Sequence, residues 1–222
     1  MLIDLSHIIF DGLQTYQGLD APVICDFWSR KDSEKFYEDG SAFHIGKIEL
    51  VANTGTYIDA PFHRFEEGED LAELDLKKIA NLSGVLIDCT KIPSREITAS
   101  LINGLDVNGK AVLFHTGWSE NWNTEAYFGN HPYLSEEAAL ILKEKKASLV
   151  GIDSYNIDNS KSKSRPVHTT LLGAGIPIVE HLTHLNGIPK NRPFRFSAVP
   201  PKIKGLGSFP VRAFAETLET NE

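Results

Sequence analysis

The chain has 222 residues, 41% hydrophobic and 23% charged, enough to bury the core of one medium-sized domain without disulfide staples. That balance excludes disorder, collagen and coiled coil. Twenty-two Lys and Arg against 30 Asp and Glu leave a net charge of −8, which argues against electrostatic capture of nucleic acid or an anionic membrane.

In chain order, the opening Met1-Leu2-Ile3-Asp4 lacks the positive region of a secretory leader. No uncharged apolar run approaches the roughly 18 residues of a membrane span, so a cytoplasmic protein is expected. Cys25 and Cys89 lie far apart and suggest neither a disulfide framework nor a zinc knuckle. The first 50 residues are rich in aromatics and turn formers, among them Gly12, Tyr16, Gly18, Phe27, Trp28 and Phe36. They read as a packed arm with short strands. Residues 45–52 partly alternate apolar and polar, the pattern of a half-buried strand.

Beyond residue 80, strand and helix signals alternate. Gly84–Asp88 and Lys110–Thr116 are buried-strand patterns. Ser135 is a good N-cap, Glu136 and Glu137 suit the positive end of a helix dipole, and Lys145 and Lys146 suit its far end. Ala147–Asp153 follows as a third strand. A short helix after Pro166 stops at Gly173 and Gly175, and Ile176–Leu182 makes a fourth strand. The tail, with Phe194-Arg195-Phe196 and Val211-Arg212-Ala213-Phe214, adds one or two more. Alternation of this kind predicts a single α/β domain with flanking helices.

The segment Asn53-Thr54-Gly55-Thr56-Tyr57-Ile58-Asp59-Ala60-Pro61-Phe62-His63 carries the chemistry. Its polar groups fall at 53, 57, 59 and 63, and in extended chain residues two apart share a face. Gly55 leaves space for a ligand or a close backbone, and Pro61 argues against helix. A turn-capping Asp59, a core Tyr57 and a carbonyl-bound His63 would explain each residue singly. Their common parity weighs equally for a site.

This segment resembles the signature of the cyclase family of metal-dependent hydrolases, the kynurenine formamidase and isatin hydrolase kind: His-x-Gly-Thr-His-x-Asp-x-Pro-x-His. Gly55, Thr56, Asp59, Pro61 and His63 match it. Ile3–His7, Phe114–Trp118, Gly151–Asp153, His168 with Leu171-Leu172, Gly175–Glu180, Pro200-Pro201 and Phe209–Ala213 extend the likeness over nearly the whole chain. The resemblance implies a central mixed sheet of the swivelling β/β/α kind, a single domain spanning 1–222, and an arm over 1–44 packed on the sheet or on a partner subunit. It also implies a homodimer.

It further implies that Asp59, His168 and Glu180 hold one divalent metal, manganese or zinc, and that His63 is the general base and acid. Asn53 and Tyr57 stand where the family has its first two histidines. Replacing two imidazoles by an amide and a phenol removes the donors zinc prefers and leaves an oxygen-rich set that favours manganese or magnesium. Two readings follow. One is hydrolysis of the carbon–nitrogen bond of a small amide, an aryl formamide or cyclic amide. The other is a metal-free relative that binds a small molecule, or hydrolyses or eliminates without metal. His7, His44, His115, His131, His181 and His184 read as surface or hydrogen-bonded structural residues. Trp28, Trp118, Trp122 and Phe62 could wall a pocket, with core packing as the ordinary alternative. The loop 154–158 and the stretch 118–133 are expected to shape that pocket.

Overall fold

The computed structural model describes residues 1–190 and 192–218. Its elements are β1 (Leu2–Asp4), β2 (Val23–Trp28), α1 (Arg30–Ser33), β3 (Ile45–Glu49), β4 (Tyr57–Asp59), β5 (Leu82–Asp88), β6 (Glu96–Ile97), β7 (Ala111–His115), β8 (Tyr133–Leu134), α2 (Glu136–Glu144), β9 (Leu149–Ile152), α3 (Pro166–Leu172), β10 (Ile178–Glu180), β11 (Phe194–Ser197), β12 (Ser208–Pro210) and β13 (Phe214–Thr217). Nine of the strands form one mixed sheet in the order β1-β13-β11-β5-β7-β9-β10-β4-β12. The centre, β5 through β10, is parallel, and both flanks are antiparallel.

The parallel centre follows from sequence. Along β7, Ala111 and Leu113 enter one apolar cluster while Val112 and Phe114 enter the other. A strand covered on both faces reads as a continuous hydrophobic run. The second cluster is sealed by α2, through Ala138, Ala139 and Leu142, and by α3, through Val167, Leu171 and Leu172. Ser135 caps α2 by accepting from the Ala138 N–H at 3.1 Å. Pro166 opens α3, where its missing N–H costs nothing.

Three expectations need correcting. Residues 45–49 form a strand, but an exposed one: among the described residues β3 pairs only with β2, and Val23, Phe27, Ile45 and Ile48 are all exposed. Alternation marks a strand with two unlike faces without saying what covers either. The tail strands lie at 194–197, as expected, and at 208–210 and 214–217, so Val211, Arg212 and Ala213 are not strand; the Val211 N–H instead bonds the Thr56 carbonyl at 2.9 Å. Gly55 leaves no room for a ligand. Its φ is +67°, and a Cβ there would lie 2.7 Å from the Ile9 side chain, so the arm fills that space. Among the described residues no helix is long and apolar enough to cross a membrane.

Candidate active site

Strand pairing builds the site. β4 lies between β10 and β12, with Tyr57 opposite Glu180 and Asp59 opposite both Ile178 and Ser208. Paired residues share a face, as do residues two apart, so Tyr57, Asp59, Glu180 and Ser208 project together. A 3₁₀ turn at Pro61–His63 then folds His63 back to Asp59, and α3 brings His168 from the other side. The shared face expected for 53, 57, 59 and 63 therefore converges in space. It does so through a loop, a short strand and a turn, not through one extended run.

His168 Nε2 is 3.6 Å from Asp59 Oδ2 and 3.8 Å from Glu180 Oε1. Its Nδ1 lies 2.6 Å from Asp158 Oδ2, and the Asp158 carboxylate also accepts the Val167 and His168 N–H groups at 2.9 and 3.0 Å. Burial alone would lower the His168 pKa. The bond to Asp158 and the nearby carboxylates of Asp59 and Glu180 more than offset that and push it up to about 10.

His63, more than a third exposed, lies 3.5 Å from Asp59 Oδ1. Ser208 bridges the two: its hydroxyl donates to Asp59 Oδ1 and lies 2.9 Å from His63 Nδ1. With the hydroxyl proton on Asp59, His63 Nδ1–H donates to Ser208, leaving the Nε2 lone pair free. Asn53 donates to the same Asp59 oxygen at 3.4 Å. Among the described residues, the buried Asp59 Oδ2 has no hydrogen-bond partner. Buried carboxylate oxygens are rarely left so, and Asp59, His63 and His168 offer ligand atoms all within 4.8 Å of one another. The donor set fits a divalent cation.

Glu180 is differently placed. Its Oε2 accepts from Tyr57 and, at 3.2 Å, from Tyr16; its Oε1 accepts the Ile157 N–H at 2.6 Å. Burial, with the Asp59 charge, raises its pKa against the opposing pull of His168 and these donors. The Tyr16 and Tyr57 hydroxyls are 2.8 Å apart. His181 joins the network, with Nε2 3.2 Å from Tyr16 Oη and Nδ1 2.9 Å from Tyr127 Oη, which bears out a structural role for it.

A cavity of about 320 Å³ opens on this face, lined by Tyr16, Leu19, Asn53, Tyr57, His63, Arg64, Asn156, Arg165, His168 and Glu180. The suggested wall residues are absent from it. Trp28 packs on Phe36 within the exposed hairpin, Trp122 stacks on His7, and Trp118 donates to the Tyr127 carbonyl. The loop 154–158 does reach the site, contributing Asn156 and Asp158. Tyr16, Ser208, Arg64 and Arg165 escaped sequence reasoning. Each is ordinary in its local context and gains meaning only through contacts distant in sequence.

The Cyclase family model, described as "Putative cyclase", matches residues 3–159. The chain belongs to this cyclase family. A kynurenine formamidase of Geobacillus thermodenitrificans is 30% identical over 219 residues, covering 95% of each chain. The solved structure of a potential metal-dependent hydrolase with cyclase activity is 27% identical, with a TM-score of 0.77 over 97% of this chain and 96% of that one. An isatin hydrolase bound to the product analogue thioisatinate has a TM-score of 0.82 over 99% and 92%, at 21% identity, which speaks to the cyclase fold alone.

Proposed function

We propose that this cyclase-family chain hydrolyses the carbon–nitrogen bond of a small amide, an aryl formamide or cyclic amide, using His63 and one divalent cation. The observation that carries this reading is a single cavity lined by both His63 and His168, with the buried Asp59 Oδ2 3.6 Å from His168 Nε2. The formamidase relative supports the reaction class. Asp59 and His168 would hold the cation, with Glu180 and Asn53 at its edge. The carboxylate and amide oxygens suit manganese, and the imidazole suits zinc. When bound, the cation supplies Lewis-acid polarisation of the substrate carbonyl.

The remaining work belongs to the chain's own residues. Asp59 accepts from Ser208, Ser208 accepts from His63 Nδ1, and the ring is held with Nε2 toward the cavity. Nε2 takes a proton from water as the water oxygen bonds the carbonyl carbon. His63 then returns that proton to the leaving nitrogen as the carbon–nitrogen bond breaks, giving acid and neutral amine.

We read residues 1–222 as one hydrolase domain with 1–44 as an arm. The β2–β3 hairpin exposes Phe27 and Ile48, apolar surface suited to burial against a second copy. The partners are thus a small-molecule substrate and a homodimer mate. Two unpaired cysteines, Cys25 exposed and Cys89 buried, suit a reducing cytoplasm.

One observation favours a second reading. Tyr57 donates directly to Glu180 from the position of a family histidine, occupying the carboxylate with a phenol. That arrangement suits a pocket that binds, or hydrolyses, without metal. A panel of aryl formamides and lactams, assayed before and after chelation, separates the two. Turnover lost on chelation and regained with manganese or zinc supports the first reading; turnover indifferent to chelation, or none, supports the second.

A further inference from the structure

In the other half of the sheet lies a larger cavity, of about 510 Å³. It shares no lining residue with the first, and β7 and β9 stand between β5 and the active site's β10. The sheet itself creates it. β7 pairs with β5 over residues 84–88, but β11 pairs with β5 only at Leu82 and Ser83. Past Ser83 the two strands part. Among the described residues, the stretch 84–88 therefore has a strand on one side only.

The narrow end of this gap is apolar. Gly84 lets the Phe194 ring lie against the strand, since a Cβ there would stand 2.0 Å from it. Leu185 and Ile188 are buried in the lining, and Leu86 is half-buried. The wide end is charged. Lys190 Nζ reaches Asp88 Oδ2 at 2.7 Å, and the Thr90 hydroxyl donates to the same carboxylate at 2.6 Å. The one acid of the lining is thus paired. Lys91 and Arg192 are exposed at the same cavity and, among the described residues, make no ion pair. Three cations against one acid, in a chain of net charge −8, make a local attraction for anions.

We propose that this cleft is a second binding site, for a small organic anion with an apolar body, an aryl or alkyl carboxylate. Its body packs among Leu86, Leu185, Ile188 and Phe194, and its carboxylate meets Lys91 and Arg192. The unpaired edge of 84–88 adds backbone groups for further polar atoms of the ligand. Open sheets bind ligands in the crevice beyond the carboxyl ends of parallel strands, where neighbours part. Asp88 and His115, both in the lining, are such ends of β5 and β7. The volume lies in the ordinary range of small-molecule sites. Nothing in this inference rests on the amide-hydrolase reading.

The test titrates the full-length protein with 2-naphthoate and with neutral 2-naphthol, followed by calorimetry and by methyl resonances. Naphthoate is expected to shift the methyls of Val85, Leu86, Leu185 and Ile188. It should bind roughly tenfold more tightly than naphthol, an advantage that fades as salt rises. In the Lys91→Gln, Arg192→Gln double variant that advantage should fall toward one. Asp88→Asn, which frees Lys190, should raise naphthoate affinity about threefold. Shifts confined to Leu19 would place the ligand in the active-site cavity and overturn the inference. No binding, equal affinity for naphthol, or an affinity unmoved in the double variant overturns it as well. Methyl shifts of Val85 and Leu86 that follow protein concentration instead would assign the cleft to a second copy, and overturn it too.

Discussion

His168 and Asp158 share a 2.6 Å hydrogen bond through Nδ1, which turns Nε2 toward Asp59. The carboxylate that fixes the ring is itself fixed by two backbone N–H groups of α3. A carboxylate bonded to the far nitrogen of a metal-binding imidazole orients the ring. Asp158→Asn should weaken manganese or zinc binding by about 10- to 100-fold, read by calorimetric titration. Unchanged affinity would remove His168 from the cation's ligands.

Tyr57 offers the sharpest contrast. Tyr57→Phe deletes the donor to a fully buried Glu180 oxygen and should cost about 1–3 kcal/mol of stability, measured by denaturant unfolding. Tyr57→His places an imidazole beside Asp59 and His168 and should tighten zinc binding on the order of tenfold or more. Equal zinc affinity in the wild type and Tyr57→His contradicts a cation seated at this face.

Ser208 reaches the reaction through His63 and Asp59. Ser208→Ala removes the bridge to Asp59, freeing the imidazole to turn, and should lower kcat by roughly tenfold or more while moving KM little. Nitrogen chemical shifts of His63 should report the Nδ1–H tautomer in the wild type and a mixture in the variant. A wild-type ring protonated on Nε2 instead would contradict the arrangement.

Acid should destabilise the protein before its carboxylates titrate. Burial, helped by the nearby His184 charge, lowers His7 from 6.5 to about 4; burial also lowers His131 and His181. Between about pH 6.5 and 4 the unfolded chain therefore binds protons that the folded chain refuses, and stability falls as pH falls. His7 alone accounts for at most about 3 kcal/mol. His7→Phe keeps a ring for the Trp122 stack, at 3.9 Å and 6°, and removes both ring nitrogens, including the buried Nε2 that has no hydrogen-bond partner among the described residues. Its acid-unfolding midpoint should lie at lower pH than the wild type's; a midpoint that does not move contradicts the burial of a neutral His7.

Elements with local signals were legible in the sequence. Ser135 with its two glutamates placed the start of α2, Pro166 that of α3, and the apolar runs marked the parallel centre of the sheet. The group 53–63 was legible because its residues are close in sequence. Its partners were not, since Ser208 reaches Asp59 across 149 positions and Tyr57 reaches Glu180 across 123. Strand pairing makes those contacts, and no spacing rule announces the register. The exposed hairpin was missed for a related reason: alternation at Ile45 to Glu49 fixes the strand, while what lies against it is a property of the rest of the fold, or of a second copy.

The most direct measurement is formate release from aryl formamides by the wild type and by His63→Ala, with circular dichroism confirming that the variant folds. The expected result is turnover in the wild type and a loss of about 10²- to 10⁴-fold in the variant at unchanged fold. Undiminished release by folded His63→Ala would contradict a proton carried by this imidazole.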